Sequence, residues 1–324
     1  MTFSKDVLRL DCAAEAERIG STLRQQLREI RRQGLVLGLS GGIDSSVTAA
    51  LAVRALGPRR VYGLFMPESD SDPESLDLGQ LLAAEFGIKA SVEDIAPALT
   101  ALRCYERRNA AVAAVIPGFT ADWKFKIVLP GPDHTGISFF SVVARSPEGR
   151  EVRERLPVDA YLAIVAATNF KQRVRKMMEY HWADRLNFAV AGTPNRLEYD
   201  QGFFVKQGDG AADLKPIAHL YKTQVYELAA YLGVPERIRR RPPTTDTYSL
   251  PQGQDEFYFN LTYDKLDLCL YGKNHGVPAA EVAAAAGLTP AQVERAYHDI
   301  DMKRSTTRYQ HLAPMLVEPV AGVG

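Results

Sequence analysis

Cysteine is scarce in this chain of 324 residues: Cys12, Cys104 and Cys269 stand far apart and are odd in number. No C-x-x-C or similar spacing occurs, so a cysteine zinc site is not expected. Reduced thiols in a cytosolic protein are the simplest reading, and a cytoplasmic location is expected. The chain also lacks an excess of either charge, with 39 Lys plus Arg against 39 Asp plus Glu. That balance argues against DNA or RNA as the main partner, because phosphate backbones demand a basic excess. A local basic patch could still hold a nucleotide. No apolar run reaches the roughly 20 residues that cross a bilayer, so no membrane partner is expected. The opening stretch MTFSKDVLRLDCAAEAERIG has no apolar core of a signal peptide.

What is present is patterned. Ile19, Leu23, Leu27 and Ile30 recur at helical spacing, which predicts an amphipathic helix over 13–33. A short apolar run, Leu35 to Leu39, suits a buried parallel strand. Glycine-rich SGGIDSS follows, and VTAALAVRAL then reads as a helix. The rhythm repeats with a strand at 60–67, a helix at 75–87 closed by Gly87, and strands at 88–95 and 185–193. Alternation of this kind implies an α/β fold with a doubly wound parallel sheet flanked by helices. Residues 106–160 break the pattern. Alternating apolar residues between Pro and Gly turns there predict short antiparallel strands, a β-rich insertion in one domain spanning 1–324. Helix resumes over 160–186, and the C-terminal part reads as helical. In LTPAQVERAYHDIDMKR, Thr289 is the expected N-cap, with Pro290 just inside it.

The most informative turn is Ser40-Gly41-Gly42-Ile43-Asp44-Ser45-Ser46, between strand and helix. Two glycines allow positive φ and close approach of a ligand to the backbone. N–H groups at the following helix start attract anions. Asp44 alone would repel phosphate; it makes sense as the holder of a bridging divalent cation. No Lys follows the glycines, so this is not a Walker A loop, and G-x-G-x-x-G is absent as well. An ordinary capped strand–helix turn is the competing reading. The pattern S-G-G-x-D-S resembles the signature of the ATP pyrophosphatases, which split ATP into AMP and pyrophosphate.

A second stretch, GTPNRLEYDQGFFVKQGDGAADLKPIAHLYKT at 192–223, resembles the signature of the NAD synthetases, and QVYELAAYLGVPERI continues it. TNFKQRVRKMM resembles a helix of that family, with Thr168 and Gln172 where Gly and Ala are usual. The likeness covers most of 15–100 and 160–305. It implies the adenine nucleotide alpha hydrolase-like fold and an ammonia-dependent NAD synthetase. It also implies site residues. Gly38, Leu39, Ser40, Gly41, Gly42, Ile43, Asp44 and Ser45 would hold ATP phosphates, and Thr193, Lys222 and Thr244 would also bind ATP. Asp44 and Glu198 would bind Mg²⁺. Arg173, Lys206, Asp213 and Lys303 would bind deamido-NAD; Arg suits a pyrophosphate because guanidinium donates in a planar fork. Bland readings stand beside these. Lys171, Arg175 and Lys176 read equally well as solvated surface charges, Asp209 as a turn cap, and His181 and Trp182 as packing residues.

The implied chemistry activates a carboxylate with ATP. The acid attacks the α-phosphorus, pyrophosphate leaves, and ammonia then displaces AMP from the acyl-adenylate. Asp44 and Lys222 would be the catalytic groups, through charge stabilisation rather than nucleophilic attack. Glutamine-dependent relatives resemble fusions to a large N-terminal nitrilase-like domain. Only about 12–14 residues precede the first helix here, so free ammonia or a separate subunit is the expected nitrogen source. A homodimer is expected from the same resemblance. Two departures touch the acid side. Met302 stands where a His precedes Lys303 in the family pattern, and the 106–160 insertion could cover the acid substrate, extend a dimer contact or be decoration. They keep open an amidoligase for a different carboxylate; a non-catalytic nucleotide binder fits poorly with both Asp44 and Glu198 retained.

Overall fold

The computed structural model describes residues 3–129, 140–243, 247–253 and 261–322. Among these the strands are β1 (Leu35–Gly38), β2 (Val61–Phe65), β3 (Lys89–Val92), β4 (Lys124–Val128), β5 (Ser141–Arg145), β6 (Glu151–Arg155) and β7 (Ala189–Val190). The helices are α1 (Cys12–Glu29), α2 (Ile43–Leu56), α3 (Pro73–Glu85), α4 (Ala96–Ala101), α5 (Cys104–Ala113), α6 (Val158–Leu186), α7 (Arg196–Gln201), α8 (Lys222–Tyr231), α9 (Glu236–Arg240), α10 (Tyr263–Asn274), α11 (Ala279–Ala286) and α12 (Pro290–His311).

One sheet is parallel, in the order β3–β2–β1–β7. Leu35 of β1 pairs with Val61 on one side and Ala189 on the other. Both faces are covered, which is why β1 is apolar throughout. Leu35 and Leu37 pack with Leu23 and Leu27 of α1, Val47 and Leu51 of α2, and Leu228 of α8. Val36 points the other way, with Tyr62, Leu64 and Val190, against Ala183 and Trp182 of α6. Trp182 stacks on Tyr62 at 4.7 Å, so its expected packing role holds. The doubly wound architecture is the predicted one.

Boundaries moved for local reasons. Helix α1 ends at Glu29, short of 33, and Arg31 turns the chain through the left-handed region at φ 54°. The strand expected over 185–193 shrinks to two residues because α6 runs on to Leu186 and Asn187 closes it at φ 55°. Thr289 caps α12 as predicted, accepting a hydrogen bond from the Gln292 N–H, with Pro290 in the first turn.

Antiparallel strands do occur within 106–160: β4, β5 and β6 form a meander. The stretch before them is helical instead, since α5 extends to Ala113 and packs along α6. Phe125, Ile127, Val142 and Ala144 of this small sheet share a core with Val112 of α5 and Ile164 of α6. Helices α10, α11 and α12 gather around Leu266, Leu270, Val282, Val293 and Ile300. Among the described residues no helix is long and apolar enough to cross a membrane.

The turn from β1 to α2 is tightly constrained. Gly41 has φ +72°, and a Cβ there would stand 2.6 Å from the Ser75 carbonyl oxygen and 2.9 Å from Leu78 Cβ. Gly41→Ala is expected to lower unfolding free energy by about 1–3 kcal/mol, from left-handed strain plus overlap. Urea denaturation measures it; an unchanged midpoint would show that the turn tolerates a side chain.

Candidate active site

In an open parallel sheet, ligands gather outside the carboxyl ends of the strands. A cavity of about 1110 Å³ opens there. Gly38, Leu39, Ser40, Gly42, Ile43, Asp44 and Ser45 line one side. Gly42 is the N-cap of α2 and makes no side-chain cap bond. The hydroxyls of Ser40 and Ser45 lie 3.0 Å apart, and the Gly42 N–H donates to Ser40 Oγ at 3.3 Å. The first N–H groups of α2 thus adjoin the cavity, an arrangement that receives anions. Gly41 itself lies behind the lining, under Ser75.

Asp44, in the first turn of α2, anchors a polar network. Its Oδ1 accepts from Asn195 Nδ2 at 2.9 Å, and its Oδ2 is paired with Lys222 Nζ. Asn195 caps α7, accepting from the Leu197 and Glu198 N–H groups, while its own N–H donates to Glu198 Oε2 at 3.1 Å. One asparagine therefore holds both acids that the sequence singled out. Glu198 and Thr193 line the cavity with Asp44. Lys222 is brought to Asp44 but not to the cavity wall, and it is fully buried. Burial pushes its ammonium down, but Asp44 and then Glu198 outweigh burial, so its pKa stands above the ordinary lysine value. Asp267 of α10 fixes the start of α8, accepting from the Thr223 N–H at 2.7 Å and the Lys222 N–H at 3.2 Å.

The far wall comes from α6 and α12. Arg173, Lys206 and Lys303 all line the cavity. Arg173 Nε donates to the Lys206 carbonyl, and Lys206 Nζ donates to the Tyr309 carbonyl at 2.8 Å. Lys303 pairs with Asp299 at 2.6 Å, and burial lowers its pKa against that pairing. Met302 is exposed and outside the lining, so the position where a His was expected does not face the cavity. Asp213 is not brought to the cavity either. Its carboxylate accepts from the Val190 N–H at 2.7 Å and steadies the sheet edge. Thr244 lies outside the described residues.

Two readings of surface charge are overturned. Lys171 and Lys176 are 1% and 6% exposed. Lys171 Nζ bonds Glu68 at 2.9 Å, Asp70 at 2.6 Å and the Thr247 carbonyl at 2.9 Å, and Arg108 also pairs with Asp70. Lys176 pairs with Glu179 at 2.5 Å beside Gly38, and Arg175 lines the cavity. Asp209 does cap its turn, accepting from the Val205 N–H at 2.7 Å, and burial raises its pKa. The missed residue that matters most is Asn195. Its signal was present: Asn195-x-x-Glu198 is a capping-box spacing.

A doubly wound sheet with an anion-receiving turn and two tethered acids defines a nucleotide-handling α/β enzyme. Comparison with known proteins narrows this. Residues 15–115 and 151–309 match the model of the NAD synthase family. An NH(3)-dependent NAD(+) synthetase of Rhizobium meliloti is 61% identical over 321 residues, 99% of this chain and 96% of that one. The fold is shared with the NMN synthetase of Francisella tularensis, at TM-score 0.67 and 23% identity over 95% of this chain and 99% of that one. It is shared also with the NH3-dependent NAD synthetase of Campylobacter jejuni, at TM-score 0.63 and 21% identity over 95% and 100%. The chain belongs to the NAD synthase family and is an amide-forming ligase.

Asp267 supplies a pH signature. Burial raises its carboxyl from 3.8 to about 6, opposed by the N–H donors of Thr223 and Lys222. The folded state thus holds that proton more tightly than the unfolded chain does. Stability contributed by Asp267 is highest below pH ~4 and falls as pH rises to about 6. Wild-type minus Asp267→Asn unfolding free energy should therefore decline across that window; a flat difference would contradict it.

Proposed function

We infer that this chain catalyses ammonia-dependent synthesis of NAD from deamido-NAD, with ATP as co-substrate and AMP and pyrophosphate as products. The observation that carries this reading is the Asn195 bracket, which sets Asp44 and Glu198 side by side at an anion-receiving helix start. The reaction needs little covalent work from the protein. The acid's carboxylate oxygen attacks the α-phosphorus, and the bond to the pyrophosphate leaving group breaks. Ammonia then adds to the acyl carbon, the bond to AMP breaks, and a proton is lost from nitrogen. Alignment and charge compensation are what the chain must supply. The α2 N–H groups and Ser40 and Ser45 hold the triphosphate. Lys222 keeps Asp44 from repelling it. Arg173, Arg175 and Lys206 supply positive charge for the acid's own pyrophosphate.

Mg²⁺ fits these residues. Two carboxylates held by one side chain, with phosphate oxygens completing the set, is the way Mg²⁺ is commonly bound. Asp44 and Glu198 would hold it, and it would neutralise charge on the phosphates. Among the described residues no cluster of three or more His, Cys, Asp or Glu could hold a metal by itself. We further propose one synthetase domain over 1–324 with an insertion at 106–160, of which 116–150 is unmatched by the family model. We propose a cytoplasmic location, and a homodimer supported by the exposed apolar Val158 and Met177 on α6 and Met302 on α12.

Mass spectrometry of product from deamido-NAD, ATP, Mg²⁺ and ammonium tests the reading, with glutamine as the control nitrogen source. NAD, AMP and pyrophosphate in equal amounts are expected. ADP in place of AMP, or no stimulation by deamido-NAD, would refute it. Asp44→Ala should abolish turnover. Asn195→Ala should lower kcat at least tenfold, on the order of 1.4 kcal/mol, and raise the Mg²⁺ requirement; an unchanged Mg²⁺ titration would sink the bracket's role.

A further inference from the structure

The chain that follows α9 is held at two places. At its start, Arg241 donates to the Ser75 hydroxyl at 3.1 Å and to Asp72 at 2.9 Å. Ser75 is the residue whose carbonyl crowds Gly41, so this end is fixed at the glycine turn. Pro242 and Pro243 follow and line the cavity with Arg241. Thr247 and Tyr248 line it too, and from there the chain runs along the small antiparallel sheet.

That run occupies the edge of β4 opposite β5. The Phe125 N–H donates to Ser249 Oγ at 2.9 Å, and the Leu250 N–H donates to the Phe125 carbonyl at 3.1 Å. The Gln252 side-chain amide donates to the Ile127 carbonyl. Phe125 and Ile127 are two residues apart, so their outward groups share one edge. Residues 249–252 thus stand in for a fourth strand and cover that edge. Neighbouring groups lock the same run. Tyr248 is buried and meets the Phe125 ring at 5.6 Å, and Leu250 packs with Val128 and Val143. Lys171 donates to the Thr247 carbonyl at 2.9 Å. Strand β4 falls in the stretch that the family model does not match.

We propose that β4 is an anchor strand: by pinning 249–252 it holds residues 241–243 and 247–248 as a preformed wall of the ATP site, with Ser249 and Gln252 as positioning residues. The inference rests on the reading of this cavity as an ATP site, and it gives the insertion a task. Neither Ser249 nor Gln252 lines the cavity, so anchoring is separable from contact with ligand. A pinned wall has lost its conformational entropy before the nucleotide arrives, so less binding free energy goes into ordering it. A loosened wall is competent only part of the time, and the apparent affinity falls by that fraction. Saturating ATP draws the wall back into place, so kcat survives.

Steady-state kinetics and amide hydrogen exchange on the full-length protein test this. Ser249→Ala combined with Gln252→Leu removes two bonds to β4 and should raise KM for ATP by about 5- to 100-fold, the range for two lost hydrogen bonds. At saturating ATP, kcat and the KM for deamido-NAD should hold within about threefold. Exchange at the Leu250 amide should quicken in the nucleotide-free variant and slow again with ATP. Ser249→Thr keeps the hydroxyl and should behave as wild type. Ser249→Ala alone keeps the test available if the double variant unfolds, with a rise of about 2- to 10-fold in KM for ATP. A fall in kcat with an unchanged KM for ATP would overturn the anchor, because loss of folded enzyme gives that pattern. Faster exchange with an unchanged KM for ATP would overturn it too. If wild-type protein forms no NAD, the reading of the reaction fails. Slowing of the variant's exchange by ATP would then still support the anchor, and no response to ATP would remove both.

Discussion

The pairing of Asp44 with Lys222 is the constraint on which the site depends. An uncompensated carboxylate at a helix start that receives anions would repel them, and an uncompensated buried ammonium would be several kcal/mol too costly to keep. Each makes the other tolerable, and the pair joins α2 to α8 across the chain. Asn195 extends the link to α7 and Glu198. Asp267 extends it to α10 by holding the backbone of Lys222. Elements far apart in sequence are thereby locked around one turn. The parallel sheet beneath is the rigid base that makes the locking possible.

Helix α6 does a different job. Its 29 residues span the cavity and also cover one face of the sheet through Ala183 and Trp182. The same helix buries Lys171 among Glu68, Asp70 and the Thr247 carbonyl. Position along the cavity is thus set by a stiff element, and its side chains keep their spacing. The antiparallel meander rests on this helix and on α5 through Phe125, Ile127 and Val142. Its anchoring is a shared apolar core, which is why it can contribute a wall to the cavity.

Much of this architecture was legible in the residues. The apolar run at 35–39, the glycines after it and the helical period beyond defined a strand–turn–helix unit, because period and turn chemistry are local properties. The antiparallel strands within 106–160 were legible from alternation. Helix α5 was not, because its few apolar positions take meaning only from packing on α6. The acids Asp44 and Glu198 were legible by motif. That they share Asn195 was not, since a hydrogen bond across 151 residues leaves no trace in spacing. Asp213 shows the converse. It sits inside the signature stretch, yet its carboxylate serves the Val190 N–H.

The sequence by itself determined the class of fold, the glycine turn after β1 and the family, because those reside in short patterns of residue type. Tertiary structure alone decided which charges are buried, which acids meet and which face of α6 looks into the cavity. Burial and long-range pairing are properties of packed elements: Lys171 and Arg173 are two residues apart, yet one is sealed against two carboxylates and the other lines the cavity as an exposed side chain.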